Sequence, residues 1–142
     1  MISEFSLQRF VDAQDLVYTQ VRGELSAGQK TSHWMWFIFP QIRGLGRSAL
    51  AERFGIGSIA EATAYLRHPV LGARLKECTQ LVLAVEGRTA AQIFGSPDDV
   101  KFRSSMTLFA ALTDEPLFKR AIDKYFAGVE DSRTVALLER SD

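Results

Sequence analysis

The sequence predicts one all-α domain of about seven helices over residues 1–142. Three observations favour this fold class. Residues typical of helix starts and ends recur along the chain, and apolar residues between them repeat with a period of about 3.6. A third is that no segment alternates convincingly between apolar and polar residues or contains the Asn-Gly or Asp-Gly pair of a tight hairpin. A chain of this length can bury a core without a metal ion or a disulfide.

The first predicted helix begins after Ser6 and ends before Gly28. Serine is a favoured N-cap residue, and glycine is the favoured residue just beyond a helix. The apolar residues of this segment that fall on one helical face are Phe10, Val17, Val21 and Leu25.

The aromatic segment Trp34–Phe39 can be read as a strand or as a helix. Its residue types fit a strand, but a single strand would have no partner among helices. Thr31 and Ser32 can cap a short helix that stops before Pro40, so we predict a helix here.

Two helices are predicted in the middle of the chain, separated at His68 and Pro69. The first starts with the capping-box spacing of Ser58 and Glu61, and the second has Pro69 at its first position. The apolar stripe of the second helix consists of Leu71, Leu75, Cys78, Val82 and Val85, and Gly87 ends it. Because Cys78 lies on this stripe, we expect it to be buried and unreactive.

Four more helix segments are predicted after Gly87. A short one over Thr89–Phe94 ends at Gly95, and Ser96-Pro97-Asp98-Asp99 starts a longer one that runs to about Leu112. The remaining limits are Asp114 and Gly128 for the next helix, and a start at Asp131 or Ser132 for the last.

Composition limits the function classes. Lys and Arg together number 17, as do Asp and Glu, so we predict neither a nucleic-acid binder nor a membrane-surface protein. The chain shows no signal segment, and its strongly apolar run Trp34–Phe39 is far shorter than the ~20 residues of a membrane span. The lone Cys78 suits a reducing compartment, so we predict a cytoplasmic protein. With two histidines and no dinucleotide fingerprint, we expect no metal and no cofactor.

Residues 30–48, KTSHWMWFIFPQIRGLGRS, concentrate unusual side chains. Both tryptophans and one of the two histidines lie here, followed by the turn Gly44-Leu45-Gly46 between Arg43 and Arg47. A Gly-x-Gly turn lets backbone amides approach a ligand, and arginine can hold an anion. The alternative is that Trp34 and Trp36 fill the core, that His33 bonds a backbone carbonyl, and that the glycines form only a tight turn.

A second unusual segment is the helix predicted from Asp98. Asp98, Lys101 and Ser105 share one helical face, and Ser104 and Thr107 adjoin it. Small hydroxyl side chains are poor helix formers, but they let another backbone or a ligand come close. The alternative is that they only pack against a neighbouring helix.

Two motif strings in these segments are typical of one protein family. The strings are Lys30, His33-Trp34-Met35-Trp36, Phe39-Pro40-Gln41 and Gly44-Leu45-Gly46, and later Asp98-x-x-Lys101-x-x-Ser104-Ser105-Met106-Thr107-Leu108-Phe109. From about Phe5 to Leu138 the chain resembles the bacterial domain of unknown function 1810 family. The resemblance implies a compact, multihelical, all-α fold and no activity. Some members are labelled calpastatin, but the calpain inhibitor of that name is long and disordered, whereas this composition is globular.

If the two strings meet in the fold, they form one concave site for a small anionic, nucleotide-like ligand. His33 is then the candidate catalytic acid or base, for hydrolysis or group transfer at a phosphate or glycosidic bond. The candidate ligand-binding residues are Lys30 and Lys101 for the anion, Trp34 or Trp36 for a planar ring, and Gln41, Ser104, Ser105 and Thr107 for hydrogen bonds.

Two other functions stay open at this stage. The aromatic stretch could receive a partner protein, or both strings could be purely structural. Exposure distinguishes them: a ligand site needs a shared cleft, a protein-interaction module needs a large exposed apolar patch, and a structural motif needs burial without a cavity. The sequence decides neither the oligomeric state nor whether the protein is an enzyme.

Overall fold

The chain folds into helices joined by short loops, in a computed structural model that describes residues 6–140. Ten helices occur in this range: α1 (Gln8–Asp15), α2 (Tyr18–Ser26), α3 (Met35–Ile38), α4 (Ala49–Phe54), α5 (Ile59–Arg67), α6 (Leu71–Leu83), α7 (Ala90–Phe94), α8 (Asp98–Ala110), α9 (Leu117–Phe126) and α10 (Ser132–Arg140). The described part contains no strand, and its β pairing is limited to one parallel bridge between Ile42 and Ile56. The all-α prediction is confirmed.

The number of helices is ten rather than about seven, for two local reasons. The predicted first helix is interrupted, because Val17 leaves the helical region with φ −133° and ψ 1°. Past the interruption, the Tyr18 hydroxyl donates a hydrogen bond to Glu77 of α6. The helix α4 has only six residues, too few for a periodic pattern, although Ser48 caps it by accepting a hydrogen bond from the Ala51 amide.

The predicted cap at Ser58 is confirmed, since its side chain accepts from the Glu61 amide. The short helix predicted over Thr89–Phe94 is also present, and it starts with a capping box between Thr89 and Gln92 that was not predicted. His68 marks the boundary between α5 and α6, as expected. Its Nδ1 accepts hydrogen bonds from the amide of Val70, just before α6, at 3.1 Å and from that of Leu71, the first residue of α6, at 3.2 Å.

Other predicted caps are wrong. Neither Ser6 nor Ser96 caps with its side chain, since Leu7 precedes α1 and Pro97 precedes α8. Asp114 does not cap α9, which starts only after Pro116. Thr31 and Ser32 do not cap α3 either, because α3 begins after Trp34 without a side-chain cap, and the Ser32 hydroxyl instead donates to the carboxylate of Glu24.

The helices pack around one hydrophobic cluster, in which Phe39 joins α3 to the C-terminal half. The Phe39 ring contacts Phe102 of α8 edge-on at 4.9 Å between centroids, and Phe94 of α7 at 5.9 Å. All three rings are buried. The two unusual sequence segments are thereby held against each other through the core.

Glu24 of α2 carries a buried carboxylate that organises the loop leading into α3. Its Oε1 accepts hydrogen bonds from the Thr31 amide at 2.7 Å and from Trp34 Nε1 at 2.9 Å, and Ser32 donates to both oxygens. Burial alone would raise the pKa of Glu24, but the hydrogen bonds from residues 31–34 outweigh burial and lower the pKa to about 2. The loop is thus fixed by a charge.

We expect Glu24→Gln to destabilise the protein by about 3 kcal/mol at pH 7, because the amide cannot accept all of these donors. A lowered pKa contributes stability above the unfolded value of 4.5 and loses it as the pH falls towards about 2. Urea unfolding at several pH values therefore should show wild type and variant converging between pH 4.5 and 2. The matched control, Glu86→Gln at an exposed position, should show no such gap; equal stability of Glu24→Gln and wild type at pH 7 would contradict the assignment.

Cys78 is buried, as predicted, with 1% of its surface exposed. Burial raises the pKa of its thiol to about 12, so little thiolate exists near neutral pH. We expect a thiol reagent to label the native protein at least ~100-fold more slowly than the unfolded chain. Rapid native-state labelling would show that the thiol is accessible.

Candidate functional site

A pocket of about 380 Å³ opens between the segment that follows α3, the first half of α8 and the start of α10. Its lining residues are Trp36, Gln41, Ile42, Gly44, Leu45, Gly46, Arg47, Ser48, Ala51, Phe54, Gly55, Pro97, Val100, Lys101, Ser104, Asp131 and Arg133. Residues from both unusual sequence segments therefore meet at one concavity, of a size usual for a small-molecule site.

One wall of the pocket is formed by residues 41–56, a loop whose two ends are joined by backbone hydrogen bonds. The Ile56 amide donates to the Gln41 carbonyl at 2.8 Å, and the Arg43 amide donates to the Ile56 carbonyl at 2.7 Å. Between these two bonds the chain makes the glycine turn and then forms α4. Gly44 has a φ of +108°, which a residue with a side chain rarely adopts.

Asp98, at the first turn of α8, holds two lysines. Its Oδ2 lies 2.8 Å from Lys30 Nζ, and its Oδ1 lies 3.4 Å from Lys101 Nζ. The Lys30 side chain is 6% exposed and that of Lys101 is 25% exposed. Lys30 is therefore the close, buried partner of Asp98, whereas Lys101 retains access to the pocket.

Each of these lysines also lies over a tryptophan. Lys30 Nζ is 5.1 Å from the ring centroid of Trp34, and Lys101 Nζ is 4.5 Å from that of Trp36. Both distances are within the range of a cation–π interaction. The two tryptophans thus support a pair of ammonium groups that share one carboxylate.

The charged side chains that line the pocket are mostly basic. Lys101, Arg47 and Arg133 contribute three positive charges, and Asp131 is the one acidic side chain in the lining. Asp131 is partly engaged, because its Oδ2 accepts hydrogen bonds from the amide and hydroxyl of Thr134 at the start of α10. The pocket is consequently suited to an anion.

The structure places four of the predicted ligand-binding residues in the pocket and five candidate residues elsewhere. The four are Trp36, Gln41, Lys101 and Ser104. The five that do not line it are Lys30, His33, Trp34, Ser105 and Thr107. The expectation that one pocket gathers all of these side chains is therefore not met.

The residues outside the pocket have other surroundings. Trp34 is buried and donates a hydrogen bond to Glu24. The Thr107 hydroxyl accepts a hydrogen bond from the Asp131 amide at 3.0 Å, which fixes the start of α10. Ser105 is fully buried, and its hydroxyl has no partner within residues 6–140. His33 is exposed. Its catalytic role stays a prediction that the pocket does not support.

Sequence reasoning missed three residues that matter to this site. Arg133 and Asp131 come from the far end of the chain, and nothing in their local pattern distinguishes them from ordinary surface charges. Glu24 did leave a signal, because it falls on the apolar face of its helix, between Val21 and Leu25. A charge on such a face predicts a buried, bonded carboxylate.

Residues 6–140 contain neither a metal-binding cluster nor a membrane-spanning helix. No group of three or more His, Cys, Asp and Glu residues that could hold a metal ion occurs there. In the same range, no helix has the length and apolar character needed to cross a membrane.

Comparison with known proteins assigns the chain to a family of unknown function. A family model described as "Protein of unknown function (DUF1810)" matches residues 4–138. The crystal structure of the conserved hypothetical protein Rv1873 from Mycobacterium tuberculosis is similar to this chain, with 58% sequence identity and a TM-score of 0.95. The similarity covers 96% of this chain and 99% of that chain. No curated protein matches the chain.

We expect Lys30→Met to destabilise the protein by about 2–3 kcal/mol, because it removes the close partner of a largely buried carboxylate. Lys101→Met should cost less than about 1 kcal/mol, since Lys101 is more exposed and farther from Asp98. Urea unfolding of both variants and of the Lys30→Met/Asp98→Asn double variant measures the coupling, and the double variant should be more stable than the sum of the single effects implies. Equal small losses for both lysines would show that Lys30 and Asp98 do not form the principal pair.

Proposed function

We propose, for a chain that belongs to the DUF1810 family of proteins of unknown function, that it binds a small anionic, nucleotide-like ligand in the pocket between α3 and α8. The observation that carries this proposal is the charge arrangement. Three cationic side chains face one partly engaged carboxylate in a concave site. Asp98 on the neighbouring turn of α8 does not line the pocket and is already paired with the buried Lys30.

The pocket also offers apolar surface for a planar ring. Trp36 is half-buried and lines the pocket together with Ile42 and Phe54. Lys101 lies over the Trp36 ring, so a ligand ring would pack beside the ammonium group or displace it from the indole. A ligand with a ring and an anionic group would replace one cation–π contact by stacking and a charge-assisted hydrogen bond.

The burial pattern favours a ligand pocket over a protein-interaction patch. Most of the aromatic stretch is buried, including Trp34, Met35, Ile38 and Phe39. Within residues 6–140, the exposed large apolar residues are Leu16, Leu50, Val100 and Val129. They lie on separate segments, and of these four Val100 alone lines the pocket. We propose binding and not catalysis, because His33, the candidate acid or base, does not line the pocket.

We expect a thermal-shift screen of nucleotides, sugars and their phosphates to find compounds that stabilise the protein. A ligand at 100 times its dissociation constant contributes about 2.7 kcal/mol, which is readily measured as a rise in Tm. Lys101→Ala should weaken binding of a hit by about 1.5–3 kcal/mol without unfolding the protein. The matched control is Lys119→Ala, at an exposed position on α9 that does not line the pocket. If no anionic compound stabilises the protein, or if both variants bind equally, the proposal fails.

The two tryptophans provide an internal readout for the same site. Trp36 lines the pocket, whereas Trp34 is buried away from it and bonded to Glu24. A bound ligand should therefore change the fluorescence of Trp36 only. We expect the titration signal to survive Trp34→Phe and to disappear in Trp36→Phe, in variants shown to be folded by circular dichroism. A signal that persists without Trp36 would place the ligand elsewhere.

A further inference from the structure

We infer that the anionic group recognised in this pocket is the dianionic phosphate of a monoester, rather than a carboxylate or another single charge. The inference rests on the proposed function and narrows its ligand class. It is carried by three features of the pocket: the number of cations, the unused hydrogen-bond donors of the glycine turn and the state of the neighbouring carboxylates.

The cations outnumber what a single negative charge requires. A carboxylate is satisfied by one guanidinium in a bidentate pair. Here Arg47 and Arg133 both line the pocket, and Lys101 of α8 adds an ammonium group. Three cationic side chains and one carboxylate leave two positive charges, which matches the charge of a phosphate monoester at neutral pH.

The two guanidinium groups are largely free to donate. Arg133 donates one long hydrogen bond, 3.4 Å to the Leu45 carbonyl, which holds its side chain against the glycine turn. Arg47 has no hydrogen-bond or ion-pair partner within the part of the chain that the structure describes. By contrast, the guanidinium group of Arg43 is already bonded, because it donates to the Gly55 carbonyl at 3.2 Å where the two ends of the 41–56 loop meet.

The glycine turn adds backbone donors. The amides of residues 44–48 donate no hydrogen bond to any other residue between 6 and 140, and four of these five residues are exposed. Gly44 and Gly46 line the pocket, and the positive φ of Gly44 keeps a side chain away from the turn. A tetrahedral group with three acceptor oxygens can use backbone donors and side-chain cations together, whereas a planar carboxylate has only two oxygens.

The carboxylates near the pocket oppose an anion less than their number suggests. Asp98 is paired with Lys30 at 2.8 Å, and one oxygen of Asp131 is occupied by Thr134. The charged groups that face the proposed phosphate are thus Arg47, Arg133, Lys101 and the remaining oxygen of Asp131. No histidine is among the lining residues, so the phosphate itself is the group expected to titrate between pH 5 and 7.5.

The inference is tested with three probes that share one ring and differ in the anionic group: phenyl phosphate, phenyl sulfate and benzoate. Their dissociation constants are measured with the full chain by calorimetry at pH 7.5 and pH 5. At pH 7.5 we expect phenyl phosphate to bind at least about tenfold more tightly than the other two. Because the second pKa of a phosphate monoester is about 6, its affinity should fall roughly tenfold at pH 5, while phenyl sulfate, which keeps one charge, reports any titration of the protein.

Two variants locate the phosphate on the pocket. Arg47→Gln and Arg133→Gln should each weaken phenyl phosphate by about 10-fold or more and should reduce its preference over benzoate. The matched control, Arg67→Gln at an exposed position on α5, should leave both unchanged. Equal affinity for all three probes, or a phosphate affinity that does not change with pH, overturns the inference while leaving anion binding intact. Failure of all three probes and of the nucleotides to bind overturns the proposed function as well.

Discussion

The sharing of the Asp98 carboxylate by Lys30 and Lys101 is the interaction on which the rest of this site depends. Lys30 comes from the loop after α2, and Asp98 and Lys101 come from the first turns of α8, so the pair joins segments nearly seventy residues apart along the chain. The loop reaches Asp98 because the buried carboxylate of Glu24 fixes it from the other side. One acid therefore shapes the loop, and another connects it to the helix that forms the pocket.

This arrangement gives the two tryptophans different roles. Trp34 is a structural residue, which donates to Glu24 and lies beneath Lys30 in the interior. Trp36 lies beneath Lys101 at the pocket and keeps part of its ring exposed. Because Lys30 compensates Asp98, the ammonium group of Lys101 remains available to an incoming anion. The Lys30–Trp34 pair thus lies in the interior, whereas the Lys101–Trp36 pair lies at the pocket where we propose that the ligand binds.

Local features of this fold could be predicted from the sequence, whereas long-range ones could not. The cap at Ser58 depends on a residue three positions away, so its local pattern predicts it directly. The break at Val17 and the short α4 have no periodic signature, which is why about seven helices were expected. The motif strings predicted that the two segments meet, and Trp36 and Lys101 do line one pocket. Arg133 and Asp131 were missed because only tertiary packing brings these charged residues, distant in sequence, to the pocket. His33 was included because its motif does not show that the side chain is exposed and outside the pocket.

The most direct test of this account is the affinity of phenyl phosphate for Lys30→Met, since Lys30 does not line the pocket and affects it only through Asp98. Without Lys30, the full charge of Asp98 faces Lys101, and we predict that affinity falls roughly tenfold at a temperature where the variant is folded. Lys30→Arg, which keeps the charge, should retain most of the wild-type affinity. An unchanged affinity in Lys30→Met would contradict the claim that the shared carboxylate controls the pocket.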